Sequence, residues 1–222
     1  MPCIYWIKRS SPCQGGARGG FISETKTPHN PPFTGGKSIF ISPSPMPTLA
    51  STKTLVQTHI LWNRIGCDVP NYLHSFRVYD ALVRWGFAEE TCIAGLLHDV
   101  IEDSTVTMDD LKALGYSDNI LRLVDYATHD LTITDSFTRW QTMIQRMIDA
   151  NDREVRAVKL ADISDNFTEC HLLKPHNFET FLTKKAPVFI YWGNHFFGGT
   201  PFYTEFVERY FTEVKKLYGY FA

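Results

Sequence analysis

From about residue 51 onward, apolar side chains recur at every third or fourth position, and this spacing predicts α-helices through nearly the whole remainder of the chain. Asp, Ser, Thr and Pro residues mark the starts of these helices, and Gly residues mark several of the ends. Eight helices are predicted, over residues 71–85, 89–103, 107–115, 117–128, 136–150, 152–173, 177–192 and 202–220, with a loop over 193–201. Because neither alternating strands nor internal repeats are visible, the pattern predicts an all-α fold.

The first 50 residues differ from the rest, since they are rich in Pro, Gly, Ser and Thr and keep no helical or strand period. A segment of this composition cannot bury enough apolar surface to offset the entropy lost on ordering it. We therefore expect a disordered extension over 1–50 and one helical domain over 51–222, whose C-terminal helices occupy 177–222. Met46 is an alternative start of the protein, a hypothesis that an intact-mass measurement on native protein would test.

Composition narrows the classes of partner. The chain has 222 residues, 44% of them apolar, and a net charge of −2, so no overall basic field favours nucleic acid or a membrane surface. The five cysteines are odd in number and form no CxxC pair, which is typical of free thiols in a reducing compartment. No apolar run is long enough to span a bilayer. We expect a cytoplasmic protein.

The predicted helix over 89–103 carries an unusual polar stripe. His98 and Glu102 are four residues apart, as are Asp99 and Asp103, so the four side chains are expected to share one face. An ordinary solvated face is the alternative, but such faces are usually rich in Lys and Glu, whereas this one has three acids and no nearby cation. A divalent cation among the acids would relieve their mutual repulsion.

Two residues outside this helix strengthen the case for a metal site. His74 lies in the preceding predicted helix, which could run alongside as an antiparallel partner, and Asp162 lies in an aliphatic stretch where a lone carboxylate would be costly. Together with His98 and Asp99 they make two imidazoles and two carboxylates. This mixed set suits Mn²⁺, Fe²⁺ or another divalent ion of borderline character, with Mn²⁺ preferred.

Three sequence blocks carry a resemblance to a known family. Residues 96–104, LLHDVIEDS, resemble the LLHDV(V/I)EDT block of RelA/SpoT-type alarmone hydrolases; residues 159–162, KLAD, followed by Asn166, resemble their KLADxxxN block. Residues 70–74, PNYLH, are similar to their PYxxH segment. The order H…HD…D is the signature of the HD-domain superfamily of metal-dependent phosphohydrolases. The resemblance covers roughly residues 60–170 and implies an HD-domain helical bundle.

The resemblance also implies roles for individual residues. His74, His98, Asp99 and Asp162 would be the metal ligands, in agreement with the set assembled above. Glu102 and Asp103 would be the catalytic residues that orient the attacking water and handle protons. One helical turn, about 5.4 Å, separates them from the ligand pair, which is a suitable reach for holding a metal's water.

Three further residues are candidates for substrate binding. Asn166 is four residues beyond Asp162 on the same helix face, and by resemblance it contacts the nucleotide. Lys159, three residues before Asp162, could meet a phosphate or form a structural ion pair. Arg64 lies where the family places an Arg-Lys pair for the base and phosphates. His129, in the loop after the helix over 117–128, is not expected to take part.

The chain departs from the family mostly at the positions that would contact substrate. The Lys after Arg64 is missing, Ser75 replaces the usual Pro, and Ser104 replaces Thr. The usual Arg-Leu-His between the Asp and the Asn is Ile-Ser-Asp here, which would put Asp165 near the expected phosphates. The metal ligands are complete, whereas the residues that would choose the substrate differ.

Three functions therefore stay open at this stage. The first is a hydrolase that removes the 3′-pyrophosphate of guanosine 3′,5′-bis(diphosphate), ppGpp. The second is an HD-type hydrolase of another nucleotide, such as a nucleoside monophosphate, a deoxynucleoside triphosphate or NADPH. The third is a non-catalytic helical module that binds a nucleotide or a protein, which would not need the Glu102–Asp103 pair. The aromatic C-terminal region is expected to serve packing or homo-oligomer formation.

Overall fold

In the computed structural model, residues 46–64, 66 and 68–219 are described, and they are helical nearly throughout. In chain order the helices are α1 (Leu49–His59), α2 (Tyr72–Arg84), α3 (Glu89–Leu97), α4 (Val100–Asp103), α5 (Met108–Ala113), α6 (Asp118–Ala127), α7 (Ser136–Ala150), α8 (Arg153–Asn166), α9 (Pro175–Thr180), α10 (Ala186–Phe197) and α11 (Pro201–Gly219). A 3-10 turn at Cys170–Leu172 and a π-helical turn at Phe181–Lys185 interrupt the later helices. Within these residues there is no strand, only an isolated bridge between Asn63 and Pro70, so the predicted all-α class is confirmed.

The predicted extension over 1–50 falls almost wholly outside the described residues and stays a prediction. The described chain is already helical from Leu49, where Thr48 caps α1 by accepting a hydrogen bond from the Ser51 amide. None of the described helices has the length and apolar character needed to cross a bilayer. Two of the five cysteines, Cys92 and Cys170, are described, and both are free thiols.

Local side-chain chemistry sets many helix ends where the sequence predicted them. Thr107 and Asp110 form a reciprocal capping box at the start of α5. Asn151 adopts a left-handed conformation, with φ of 46°, and ends α7. The next residue, Asp152, caps α8 by accepting hydrogen bonds from the Glu154 and Val155 amides. The helix that carries Asp162 therefore starts at a fixed point.

The single helix predicted over 89–103 is wrong, because it breaks at His98 and Asp99 into α3 and α4. The reason lies in the His98 ring, whose Nδ1 donates to the Gly95 carbonyl oxygen at 2.8 Å. In a continuous helix that oxygen would accept from the Asp99 amide. The ring displaces this backbone bond, and the chain turns at the two residues expected to bind a metal.

Two other predicted boundaries are also wrong. The helix over 152–173 ends at Asn166, since the Thr168 hydroxyl donates to the Asp165 carbonyl oxygen and replaces the next helical bond. The loop over 193–201 is helical as far as Phe197. Gly193 is a close-contact residue rather than a helix stop, because a Cβ there would lie 2.8 Å from the ring of Tyr203.

Helix α3 is the centre of the core, and every residue from Thr91 to Leu97 is buried. Helices α1, α2, α6 and α8 surround it. Gly95 permits the close crossing of α2, since a Cβ at this position would lie 2.3 Å from Cδ1 of Leu82. This arrangement brings the end of α3 beside the first turn of α2 and the second half of α8.

Candidate metal centre and active site

The four predicted metal ligands meet at one point where α2, α8 and the α3–α4 break converge. Single ligand atoms of His74, His98 and Asp99 all lie within 4.8 Å of one another. Oδ1 of Asp162 lies 3.1 Å from Nε2 of His74 and 3.8 Å from Nε2 of His98. Both imidazoles are buried, and Asp99 is the most accessible of the four, with 22% of its side chain exposed. The cluster therefore has one open side.

Hydrogen bonds on the far side of each imidazole fix which nitrogen faces the cluster. Nδ1 of His98 donates to a backbone carbonyl, so in the neutral ring Nε2 carries a lone pair. This Nε2 is buried, lies 3.2 Å from Oδ2 of Asp99, and makes no hydrogen bond with any described residue. Nδ1 of His74 lies 2.6 Å from Oδ2 of Asp165, which likewise turns the His74 Nε2 lone pair towards the centre.

The charges of the cluster favour a cation in the middle. Burial lowers the pKa of His98, but the carboxylates of Asp99 and Asp162 outweigh this effect and raise it to about 9. Burial raises the pKa of Asp99, yet His98 and His74 lower it to about 2. Without another positive charge, the cluster thus holds a proton on an imidazole. Two nitrogen lone pairs and two ionised carboxylates around one point fit a divalent cation, which would take the place of that proton.

Lys159 completes the charge balance of the buried carboxylates. Its Nζ lies 2.7 Å from Oδ2 of Asp162, and both side chains are more than nine-tenths buried. The pKa of Asp162 is raised by burial, but Lys159 dominates and holds it well below the usual range. Of the two alternatives for Lys159, the ion pair is the contact that the structure contains.

The two predicted catalytic acids, Glu102 and Asp103, contact different residues. Oε1 of Glu102 accepts hydrogen bonds from both the backbone amide and the ring Nδ1 of His129, at 2.7 and 2.8 Å. Oδ2 of Asp103 accepts a hydrogen bond from Nδ2 of Asn71 at 3.2 Å. His129, which was not expected to take part, therefore contacts one of the two predicted catalytic acids. Its loop position gives no helical spacing that would have pointed to Glu102.

Arg64 and Asn166, two of the predicted substrate-binding residues, are bonded to each other. Nη2 of Arg64 donates to Oδ1 of Asn166 at 2.6 Å, and Nδ2 of Asn166 donates to Oδ1 of Asp162 at 2.6 Å. Arg64 also contacts Asn71 and forms an ion pair with Glu169. The hydrogen bonds from Arg64 to Asn166 and from Asn166 to Asp162 connect the candidate nucleotide-binding residues to a candidate metal ligand.

Asp165 differs from the sequence expectation. It was expected near the substrate phosphates, but its carboxylate is turned towards His74 and is only 7% exposed. Nε and Nη2 of Arg77 donate to its two oxygens at 2.7 and 3.0 Å. Burial raises the pKa of Asp165, and the hydrogen bonds from His74 and Arg77 outweigh that and lower it. A three-residue spacing was the available signal, since Arg77 follows His74 and Asp165 follows Asp162 by one helical turn.

Three of the curated proteins similar to this chain carry one recurring name, whereas one from Mycobacterium leprae, 32% identical over 109 residues, is named as a probable GTP pyrophosphokinase. A Mycoplasma pneumoniae protein named as a probable guanosine-3′,5′-bis(diphosphate) 3′-pyrophosphohydrolase is 33% identical over 117 residues, which are 47% of this chain and 15% of that protein. A Borreliella burgdorferi protein with the same name, without the qualifier, is 31% identical over 119 residues, 52% of this chain and 18% of its own length. One from Spiroplasma citri is 35% identical over 98 residues, 42% and 13% of the respective chains. This chain thus spans less than a fifth of the length of these relatives.

Solved structures agree with the fold. A protein described as a metazoan ortholog of SpoT that hydrolyses ppGpp superimposes with a TM-score of 0.63 at 18% identity, covering 76% of this chain and 98% of that one. A Listeria monocytogenes protein superimposes with a TM-score of 0.53 at 24% identity, covering 63% and 94%. No family model matches the chain.

The fold of this chain is the helical fold of the metazoan protein, so the predicted all-α helical bundle is confirmed. The resemblance to RelA/SpoT-type pyrophosphohydrolases, drawn from the three sequence blocks, is also confirmed by the names of the curated relatives.

Proposed function

We propose that this protein is a metal-dependent phosphohydrolase that removes the 3′-pyrophosphate of guanosine 3′,5′-bis(diphosphate). The names of the curated relatives support the reaction and the substrate. The single observation that carries the proposal is the convergence of His74, His98, Asp99 and Asp162, with two imidazole lone pairs directed at two carboxylates. A module that only binds a nucleotide would not need the Glu102–Asp103 pair that follows these ligands on α4.

We propose Mn²⁺ as the ion held by these four residues, since two imidazoles and two carboxylates are a mixed nitrogen and oxygen set. When bound, such an ion polarises a phosphoryl oxygen and lowers the pKa of a water molecule. The open side at Asp99 gives the phosphate a way to the cluster. Lys159 keeps Asp162 ionised for this role, through the buried ion pair between them.

Glu102 is the proposed general base of the reaction. It lies on α4, about one helical turn after Asp99, and is therefore close to the proposed ligand pair His98 and Asp99. Hydrogen bonds from the backbone amide and the ring Nδ1 of His129 hold the Glu102 carboxylate in place, and Glu102 would take a proton from water. Asp103, held by Asn71, is the second acid at this end.

Arg64 and Asn166 are the proposed contacts for the nucleotide. They are joined to each other, and Asn166 is joined in turn to Asp162, so both side chains are connected to the proposed metal centre. Guanidinium and amide groups are suitable donors to phosphate oxygens.

The free thiols of Cys92 and Cys170 support the proposal of a cytoplasmic location.

A second candidate, hydrolysis of a different nucleotide, is favoured by one specific observation. Arg64 has no Lys neighbour to form the family's basic pair, and it forms an ion pair with the acid Glu169 instead. A site with this balance of charge would suit a substrate carrying fewer phosphate charges than ppGpp. Nucleoside monophosphates and NADPH belong to that class.

The experiment is a substrate panel. Purified protein with Mn²⁺ is incubated in separate reactions with ppGpp, NADPH, deoxynucleoside triphosphates and nucleoside monophosphates. The products of each reaction are then identified. Pyrophosphate released from ppGpp supports the first function, whereas orthophosphate released from another compound supports the second. Absence of turnover with every compound, despite bound metal, would leave a binding module as the better description.

Two variants serve as controls for this panel. Asp99→Ala should abolish turnover, because it removes the most accessible of the four proposed ligands. Asp149→Ala changes an exposed acid near the end of α7, a helix that supplies none of the four proposed ligands, and should keep the wild-type rate. Full activity of Asp99→Ala would show that the site has been assigned to the wrong residues.

A further inference from the structure

His74 is held from behind by a carboxylate that the proposed reaction does not use. Nδ1 of His74 lies 2.6 Å from Oδ2 of Asp165, and the two side chains are 1% and 7% exposed. Arg77 donates hydrogen bonds to both oxygens of Asp165, from Nε to Oδ1 at 2.7 Å and from Nη2 to Oδ2 at 3.0 Å. Its Nη2 also lies 2.9 Å from Oε1 of Glu169. The three side chains form a continuous chain from the cluster to the surface.

We propose that Asp165 and Arg77 are positioning residues, which fix the ring of His74 so that its Nε2 lone pair is directed at the metal centre. The inference rests on the metal centre of the proposed function, but not on the identity of the substrate. Asp165 does this by accepting a hydrogen bond from Nδ1–H of His74, and Arg77 does it by holding Asp165 in place. Neither residue is one of the four proposed ligands or of the proposed catalytic and substrate-binding residues.

The geometry supports this role over a plain ion pair. A neutral imidazole has one donor and one acceptor nitrogen, so a carboxylate at Nδ1 leaves Nε2 as the acceptor. A carboxylate behind a ligating histidine also makes the ring a stronger base towards a metal. Nε2 of His74 lies 3.1 Å from Oδ1 of Asp162, on the side opposite Asp165, which is the orientation that ligation requires.

The arrangement also ties together the two helices that supply ligands. Arg77 lies one turn after His74 on α2, and Asp165 lies one turn after Asp162 on α8. A bond between Arg77 and Asp165 therefore keeps His74 and Asp162 at a fixed separation. Position 165 is where the related alarmone hydrolases usually have His, so this carboxylate is a feature of the present chain.

Metal affinity tests the proposal without any substrate. Free Mn²⁺ gives a six-line EPR spectrum that disappears on binding, so its titration yields the dissociation constant for wild type, Asp165→Ala and Asp165→Asn. Loss of a partner behind a ligating histidine typically weakens metal binding by about 10- to 100-fold, and Asp165→Ala should fall in that range. Asp165→Asn should weaken metal binding less, because the amide oxygen can still accept a hydrogen bond from Nδ1–H of His74.

Arg77→Met separates positioning from simple charge. Removal of a cation close to a cation site would by itself tighten metal binding, whereas loss of positioning weakens it, and we expect weaker binding. Arg122→Met is the matched control, since Arg122 is exposed to 38%, compared with 35% for Arg77, and also faces two acids, Asp152 and Glu154. Its dissociation constant should stay within about twofold of wild type.

Thermal unfolding in chelator shows which variants are folded, and a core variant, Val124→Ala, shows that lower stability alone leaves the affinity unchanged. If Asp165→Ala does not fold, Asp165→Asn and Arg77→Met carry the test. A folded Asp165→Ala with wild-type affinity overturns the proposal, as does equal loss in the Ala and Asn variants, which would indicate charge alone. If wild type does not bind Mn²⁺, the proposed metal centre itself fails, whereas a substrate panel without turnover leaves this test unaffected.

Discussion

His98 uses its two ring nitrogens for two different purposes. Nδ1 takes the carbonyl oxygen that a continuous helix would need, and thereby separates α3 from α4. Nε2 is left buried and without a hydrogen bond to any described residue, facing Asp99 and Asp162. The same hydrogen bond therefore shapes the backbone and prepares the lone pair. A lysine or a glutamine at this position could not do both. Neither has a rigid ring in which a hydrogen bond donated by one nitrogen fixes the direction of the lone pair on the other.

Glu102→Gln is expected to slow turnover without disturbing metal binding. The amide cannot accept a proton from water, and the loss of a general base typically lowers kcat by about 10²- to 10⁴-fold. Steady-state kinetics on the substrate that the panel identifies would measure kcat, and Mn²⁺ titration would measure affinity. Glu179→Gln, an exposed change on α9, is the control. A wild-type kcat in Glu102→Gln would remove Glu102 from the reaction.

His129→Gln tests the group that holds Glu102. The backbone amide of residue 129 would still donate to Oε1, so only the contacts of the ring with Oε1 and Oε2 are lost. We expect a smaller fall in kcat than in Glu102→Gln, on the order of tenfold, which is typical for a partner of a functional side chain. Steady-state kinetics would measure it, and an unchanged kcat would make His129 a packing residue.

At the same scale, the sequence pointed to the proposed ligands more directly than to the residues that contact them. His98 and Asp99 are adjacent in a predicted helix, and Asp162 lies in an apolar run, so spacing and expected burial indicate these three residues. Asp165 and His129 are defined by what they touch on other segments, 91 and 27 residues away along the chain. One sequence without its tertiary contacts does not contain that information.

At the scale of elements, the crossing of α2 and α3 decides whether His74 and His98 can share a metal. Their ring centroids are 5.1 Å apart, and the crossing is close because position 95 has no side chain. The hydrophobic pattern predicted both helices, but it did not reveal their distance. Gly95 lies inside a helix, where a glycine is otherwise unfavourable, and that cost is the sequence's only sign of the close approach.

Gly95→Ala is expected to lower the free energy of unfolding and to weaken metal binding. The new Cβ would lie 2.3 Å from Cδ1 of Leu82 and 3.3 Å from Cγ1 of Val78, and Leu82 is fully buried with no room to turn away. Overpacking of this kind costs about 1–3 kcal/mol. Urea unfolding and Mn²⁺ titration would measure the two effects. Gly219→Ala, where the Cβ meets no atom within 4 Å, should change neither.

Glu90 gives the packing of α3 against α6 a dependence on pH. Its carboxylate accepts hydrogen bonds from Ser117, at the cap of α6, and from Asn119, and these two bonds lower the pKa of Glu90 below its usual 4.5. A lowered pKa in the folded state means that ionised Glu90 stabilises the protein above its unfolded pKa. That stabilisation is lost as the pH falls through the folded pKa.

Glu90→Gln should therefore reduce stability at about pH 7 and have a smaller effect at about pH 3, below the ordinary range of glutamate. Urea unfolding of the two proteins at both pH values gives the comparison. Glu89→Gln alters an exposed acid in the same first turn of α3 and should leave the pH dependence as it is. An equal difference between wild type and Glu90→Gln at both pH values would contradict the assignment.

At the scale of the whole molecule, the proposed ion would join three segments that are distant in sequence. His74 belongs to α2, His98 and Asp99 to the break after α3, and Asp162 to α8. The order of these blocks along the chain was enough to predict that they meet, because the resemblance spans all of them. The C-terminal helices α9 to α11 lie beyond that resemblance. The helix predicted over 202–220 is α11, Pro201–Gly219, whereas the single helix predicted over 177–192 is divided into α9, a π-helical turn and α10.

Mn²⁺ should consequently raise the melting temperature of the whole domain, because it binds the folded protein and has no assembled site in the unfolded chain. At a free concentration of about 100 times the dissociation constant, binding contributes about 2.7 kcal/mol. For a domain of this size each kcal/mol raises the melting temperature by about 2–4 °C, so the shift should be about 5–10 °C. Differential scanning calorimetry with Mn²⁺ and with chelator would measure it. Asp99→Ala should lose most of the shift, and if it kept all of it, the ion would be binding elsewhere than at the point where the three segments meet.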